Sequence, residues 1–310
     1  MGRYHVGVYS DLPEVDLVSV VDLDEDRVQA IAKQYGTQAA TDYREIMDQV
    51  DVVSVAVPTH FHFQVARDFL EAGVHVLLEK PVAPTLAEAE TLFKLARQKG
   101  RVLQIGHVER FNGAVQELKK IVRDPILIDC RRMGPFEPRV QADGVILDLM
   151  IHDLDIVLNL VNAPVQSCRA TGTRVFSSRE DVANVSLTFD TGCIAVLTAS
   201  RVTQEKVRTL SVTQKDAYIV LDYANQDIHI HRQASSEHVL THEELRYKQG
   251  SLIERIFVHK DNPLKLEIRA LLNAAANGLG RNASYDGELL SLKLALQVLS
   301  ELEDQGVAPP

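Results

Sequence analysis

The residue that most invites chemistry is a histidine on an otherwise apolar stretch. Residues 144–161 read GVILDLMIHDLDIVLNLV, apolar nearly all round, which predicts a buried helix. Asp148, His152, Asp155 and Asn159 recur at i, i+4, i+7 and i+11, so an α-helix carries them in one stripe. Ionisable groups on a buried helix must be paired or face a cleft. Two readings follow. In one, Asp148 orients the imidazole of His152, which titrates near neutrality and can accept the proton of a hydroxyl. In the other, the stripe is a satisfied core network joining helix to sheet, the reading preferred for Asp155 and Asn159. A second reactive group is Lys80 in Glu79-Lys80-Pro81, where a primary ammonium can polarise a hydroxyl or stabilise an alkoxide. His60 and His62 alternate as a metal pair would, but no carboxylate or cysteine close in sequence completes a site, so no metal is expected. His229 and His231 alternate along a predicted strand and read as structural.

The first half of the chain alternates strands and helices. Strands are predicted at 15–21, 51–57, 74–78 and 102–105, and helices at 26–34, 62–72 and 84–99, with Thr85 as a cap and Gly36, Gly73 and Gly100 as stops. Continuous Val/Leu/Ile strands between helices read as a parallel sheet covered on both faces. Lys80 then lies just past a parallel strand, at the rim where α/β proteins bind ligands. Asp22 ends another strand about 20 residues beyond Gly2, where a carboxylate accepts hydrogen bonds from an adenosine ribose. It would repel a 2′-phosphate, favouring NAD over NADP. The alternative is a turn or cap aspartate ahead of Asp24-Glu25-Asp26.

The second half has longer, alternating strands at 126–132, 167–176, 182–189, 193–202, 206–213, 217–223 and 228–232. Asp190-Thr191-Gly192 gives a hairpin signal. Helices are expected at 263–276 and 287–302. This is an α/β protein of two domains: a Rossmann-type parallel sheet over 1–112, and over 113–310 an α/β domain with a large, mostly antiparallel sheet. The start is unusual, because residues 2–9 read as a helix with no strand or G-x-G before Gly2. Met1 is therefore expected to lie inside the dinucleotide-binding turn of a chain truncated at its N-terminus. A sheet without that first strand has two open ladder edges.

Composition sets outer limits. The chain has 310 residues, 45% hydrophobic and 25% charged, with net charge −10. That balance argues against nucleic acid as an obligatory partner. No apolar run approaches the roughly 20 residues of a membrane span. Three cysteines, Cys130, Cys168 and Cys193, fit a reducing cytoplasm better than a disulfide framework. The sequons at Asn184 and Asn282 are read as chance.

Taken together, Met1-Gly2-Arg3-Tyr4-His5, Val21-Asp22, Val57-Pro58-Thr59-His60-Phe61-His62, Glu79-Lys80-Pro81 and Asp148-x-x-x-His152-Asp153-x-Asp155 resemble the Gfo/Idh/MocA oxidoreductases. The resemblance spans essentially the whole chain. It implies NAD-dependent hydride exchange with a sugar hydroxyl, with Lys80, Asp148 and His152 catalytic and a cis peptide before Pro81. It implies cofactor contacts from Gly2, Asp22, Pro58, Thr59, His62, Glu79 and Lys80, and a homodimer or homotetramer built on the C-terminal sheet. The segment 106–112, GHVERFN, is similar to the branch acting on UDP-N-acetyl-hexosamines and their uronic acids, which would turn Arg110 and Asn112 toward substrate. Where the family has a glycine-rich lead into the Asp/His helix, this chain has Gln141-Ala142-Asp143-Gly144. The rival expectations are a non-catalytic dinucleotide- or sugar-binding regulator on the same fold, and a reductase of a non-sugar ligand.

Overall fold

The computed structural model describes residues 1–137, 143–233, 237–240, 245–248, 251–278 and 286–304. Gln141, Ala142 and the Asn282 sequon lie outside the described residues. The chain divides into two compact units, Met1–Val108 with Asn262–Leu292, and Glu109–Asp261 with Lys293–Pro310.

The first unit runs α1 (Gly2–Ser10), β1 (Ser19–Val21), α2 (Glu25–Tyr35), β2 (Gln38–Ala40), β3 (Val52–Val55), α3 (Thr59–Glu71), β4 (His75–Leu78), α4 (Leu86–Lys99) and β5 (Leu103–Ile105). Its strands are parallel, as their continuous apolar runs predict, but they form two sheets. One is β1-β2 and the other β3-β4-β5. Among the described residues β1 and β3 each keep one edge unpaired. All four residues of β4 are buried, as befits a central strand covered on both faces. Val8 and Leu12 from α1 pack with Leu77 of β4, and Leu264, Ile268 and Leu271 complete that cluster. Helix ends follow local chemistry. Asp24 and Thr85 accept the backbone N–H groups of Arg27 and Glu88 at 3.0 and 3.3 Å. Gly36 and Gly100 stop α2 and α4 in the left-handed conformation, at φ 66° and 64°.

The second unit contains α5 (Gly113–Ile121), β6 (Leu127–Met133), a π-helical segment Ile146–Met150, α6 (Ile151–Val161), β7 (Val165–Thr173), β8 (Val182–Phe189), β9 (Ile194–Ser200), β10 (Val207–Gln214), β11 (Ala217–Asp222), β12 (Asp227–Gln233), β13 (Glu237–Leu240), β14 (Leu245–Lys248) and β15 (Ser251–Ile256). Eight strands make one sheet in the order β15-β12-β11-β10-β6-β9-β8-β7, and β13-β14 stand apart as a hairpin. Within the large sheet only β6 and β9 run parallel. The hairpin expected at 190–192 joins β8 to β9. Alternate strand residues such as Ile128, Cys130, Leu197, Leu210 and Ile219 point into a core shared with α5 and α6. The chain ends with α7 (Pro263–Ala276) and α8 (Asp286–Asp304), and the division between units falls within α8.

The helix predicted over 144–161 is thus not uniformly α. Its first turns close i→i+5 bonds, a feature that recurs at functional sites. Glu180 holds this start. Its Oε1 accepts from Ile146 N at 3.2 Å and its backbone oxygen from Val145 N at 3.0 Å. Gly144 makes room: a Cβ there would land on the Glu180 carboxylate. Gly144→Ala should therefore cost about 1–3 kcal/mol, the range for an orphaned buried backbone donor. The cost should largely vanish in a Glu180→Ala background, a non-additivity read by chemical denaturation.

Burial pushes the Glu180 carboxyl above its ordinary value, although backbone hydrogen bonds pull it part-way back. The folded chain then holds this proton to higher pH than the unfolded one. The group's stabilising contribution is complete below the ordinary carboxyl range and is lost as pH rises through the raised value. Glu180→Gln removes that titration. Its melting temperature relative to the parent should increase from about pH 5 to about pH 8; a constant difference would exclude the raised carboxyl.

Candidate active site

Two groups of expected site residues form, one in each unit. In the first unit, Lys80 follows β4 and is part-exposed between buried neighbours, Glu79 and Pro81. The Lys80–Pro81 peptide is cis, as the resemblance implied. His62 is almost wholly buried in α3, with Nδ1 2.7 Å from the Pro81 carbonyl oxygen and Nε2 2.9 Å from that of Val57. It ties the turn after β4 to the segment leaving β3. Pro58, exposed, and Thr59, part-buried, begin α3 beside that brace.

Gly2 opens α1 against Ala56, close enough that a Cβ would sit 3.8 Å from the Ala56 side chain. Helix α1 has no side-chain cap and no acid in its first turn, so its N-terminal dipole and N–H groups suit a phosphate. Asp22 directly follows β1 and keeps about a third of its side chain exposed, 34%, while accepting from Asp24 N at 3.0 Å and from Arg27 Nη1 at 3.1 Å. An uncapped helix start and an open carboxylate acceptor fit the pyrophosphate and ribose of a dinucleotide. Arg27 beside Asp22 tempers the repulsion of a 2′-phosphate.

In the second unit, Asp148 lies in the π-helical segment and His152, part-buried, in the first turn of α6. Arg201, almost fully buried, approaches Asp148 with Nη2 3.6 Å from Oδ2 and donates to the Asp143 carbonyl at 2.9 Å. Asp155 forms a forked ion pair with Arg110, Nε to Oδ2 2.7 Å. Asn159 is exposed and donates to the Asp155 carbonyl. Asn112 is buried: Oδ1 accepts from Ala114 N at 3.1 Å, capping α5, and Nδ2 donates to the Tyr223 carbonyl at 3.0 Å. The two side chains expected to face substrate, Arg110 and Asn112, are thus engaged within this unit.

The strongest polar cluster is one that sequence reasoning missed. Arg132, with a side chain 3% exposed, forks onto Asp153 at 3.0 and 2.8 Å and reaches Glu109 at 2.9 Å. Its guanidinium carbon lies 4.8 Å from the Tyr223 ring centre. Burial works against the Arg132 charge, but Asp153 and Glu109 overcome it and hold the guanidinium firmly protonated. Burial, then Asp153, pushes the Tyr223 phenol far above its usual range. The available signal was alternation: β6 points Ile128, Cys130 and Arg132 to one face, so a charge falls on an apolar row. Asp153→Asn should cost about 3–5 kcal/mol in chemical denaturation, as for other buried pairs broken on one side. The paired change Arg132→Met with Asp153→Leu should cost less than the single one; equal costs would show the pair is not the source.

Among the described residues, no helix is long and apolar enough to cross a membrane, and no three His, Cys, Asp or Glu side chains gather as a metal site. The three cysteines are buried and unbridged. Burial pushes Cys168 to about 11 and raises the other two.

Residues 1–107 match the model of an oxidoreductase family with an NAD-binding Rossmann fold, and residues 110–220 match the Gfo/Idh/MocA C-terminal domain. A UDP-N-acetylglucosamine 3-dehydrogenase from Acidithiobacillus ferrooxidans is 34% identical, over 89% of this chain and 86% of that protein. Its solved structure superposes with a TM-score of 0.84 at 31% identity, covering 97% of this chain and 94% of that one. A D-glucoside 3-dehydrogenase from Escherichia coli is 31% identical over 52% of this chain and 51% of its own length. GenD2 from gentamicin A biosynthesis, solved with NAD, shares the fold with a TM-score of 0.82 at 19% identity, covering 98% of this chain and 92% of that one. Family models matched over both halves and a relative 34% identical over 89% of this chain show that the chain belongs to the Gfo/Idh/MocA family of NAD-binding oxidoreductases.

Proposed function

We propose that this chain interconverts a secondary alcohol of a sugar and the corresponding ketone, with a nucleotide sugar of the UDP-N-acetylhexosamine class as substrate. The observation that carries the reading is likeness over nearly the full length to a UDP-N-acetylglucosamine 3-dehydrogenase. NAD, when bound, supplies the hydride acceptor. Gly2 and the first turn of α1 would hold its pyrophosphate, Asp22 its ribose, and Pro58, Thr59 and His62 would line the nicotinamide side. The chain's own groups handle the proton. Lys80 stabilises the developing alkoxide, His152 takes the hydroxyl proton, and Asp148 orients His152.

The open face of the eight-stranded sheet carries exposed Leu127, Ile194 and Tyr218, which supports association of two or four copies there. Three unbridged cysteines support a reducing, cytoplasmic setting.

Absorbance at 340 nm across UDP-sugars, free sugars and inositols tests the substrate class. Response only to free inositols would overturn the nucleotide-sugar reading. His152→Ala should lower kcat by about 10²–10⁴-fold, the usual worth of a placed general base, with the Kd for NAD changed less than about twofold. Undiminished turnover would remove His152 from the mechanism.

A further inference from the structure

His5 has no part in the scheme above, yet it is 2% exposed and its ring is fully engaged. Its Nε2 lies 2.8 Å from Glu79 Oε1 and its Nδ1 3.1 Å from Ser54 Oγ. Ser54 Oγ is in turn 2.9 Å from the Tyr9 hydroxyl. One assignment satisfies every group: Tyr9 donates to Ser54, Ser54 donates to Nδ1, and the Nε2–H donates to Glu79. The chain of bonds runs from α1 through β3 to the residue that ends β4. Glu79 has little freedom otherwise. Its amide donates to the Val55 carbonyl at 2.9 Å, and Gly106 packs against it so closely that a Cβ would lie 3.2 Å from its Cα and its carboxylate.

The next residue is Lys80, and the one after it is fixed from the other side by His62 through the Pro81 carbonyl. The lysine therefore stands between two pinned residues, each held by a buried histidine from a different helix. A general acid or electrostatic group gains most of its effect from being held in place before reaction. The geometry assigns His5 as the positioning residue that fixes Glu79 and, through it, the Lys80 turn. This rests on the reading of Lys80 as a catalytic residue.

Two near-isosteric changes separate positioning from packing. Gln at position 5 can keep a donor near the Nε2 position and so the bond to Glu79. Asn reaches only as far as Nδ1 and loses it. In the full chain, His5→Asn should lower kcat roughly tenfold to a hundredfold, the scale of a misplaced reacting group, with KM for the sugar changed less than about twofold and His5→Gln close to the parent in kcat. The rate at which an amine-reactive ester labels Lys80, followed by mass spectrometry relative to Lys99, should change in His5→Asn and match the parent in His5→Gln.

Equal losses of kcat in the two variants, or a parental kcat and labelling rate in His5→Asn, would overturn the assignment. Should His5→Asn not fold, a His5→Gln kcat as low as that of Lys80→Ala would overturn it too, and one near the parent supports it. Lys80→Ala is the control for the functional reading. If it leaves kcat unchanged, the role of Lys80 fails, and the labelling comparison still judges the brace on its own.

Discussion

An arginine that cannot reach water keeps its charge, and the second unit is arranged around that constraint. Desolvating a guanidinium is costly unless anions meet it with good geometry. Arg132 is met by Asp153 from α6 and Glu109 from the turn before α5, with the Tyr223 ring close by. Neighbouring side chains then have fixed duties. Asn112 bonds the backbone of Tyr223. Arg110 takes Asp155, one turn from His152 on the same helix. Arg208, part-buried, has its charge disfavoured by burial and then by Arg132 itself. The helix carrying His152 is thus registered against the sheet by ionic contacts as well as by apolar packing. Apolar surface alone would tolerate sliding; a forked ion pair does not.

The first unit makes its polar contacts at the sheet rim with histidine rings. His5 and His62 each span two elements and meet polar atoms at the sheet rim. The rim is where strands stop and backbone groups lose their ladder partners, so such groups must be satisfied some other way. His62 meets the carbonyls of Val57 and Pro81, which lie beyond the ends of β3 and β4.

Much of this was legible from the residues. Periodicity located β4, α4, α7 and the strands β8 to β12, because long apolar or alternating runs leave few alternatives. It missed β2, α5 and the strands β13 to β15. Gln38–Ala40 is too short to show a pattern, and α5 follows a 3₁₀ turn with no break in polarity between them. Nothing local announced that α7 belongs with the first unit, since its partners Val8, Leu77 and Val102 are more than 150 residues away. Lys80, Asp148 and His152 could be picked out because reactive side chains interrupt apolar runs. Arg110 and Asn112 were read as substrate contacts from a motif, which fixes identity and order but not the partners a side chain also finds in the fold. Their partners Asp155 and Tyr223 are distant in sequence, so only the fold could reveal that both are engaged. Glu180 was invisible for the same reason: its counterpart is the missing side chain of Gly144.

The π-helical start of the His152 helix also bears on how this chain tolerates change in length. A wide turn holds one residue more than an α-turn over the same rise. Deleting a single residue between 146 and 150 would leave a sound α-helix, so local stability would not oppose it. The wide turn completes its revolution with the extra residue and an α-turn does so without it, so the residues on either side would keep nearly the same angular positions. What would change is the five-residue stretch itself, which carries Asp148, and with it the place of that acid opposite Arg201. The turn thus accommodates one residue of length, and Asp148 lies among the residues that absorb it.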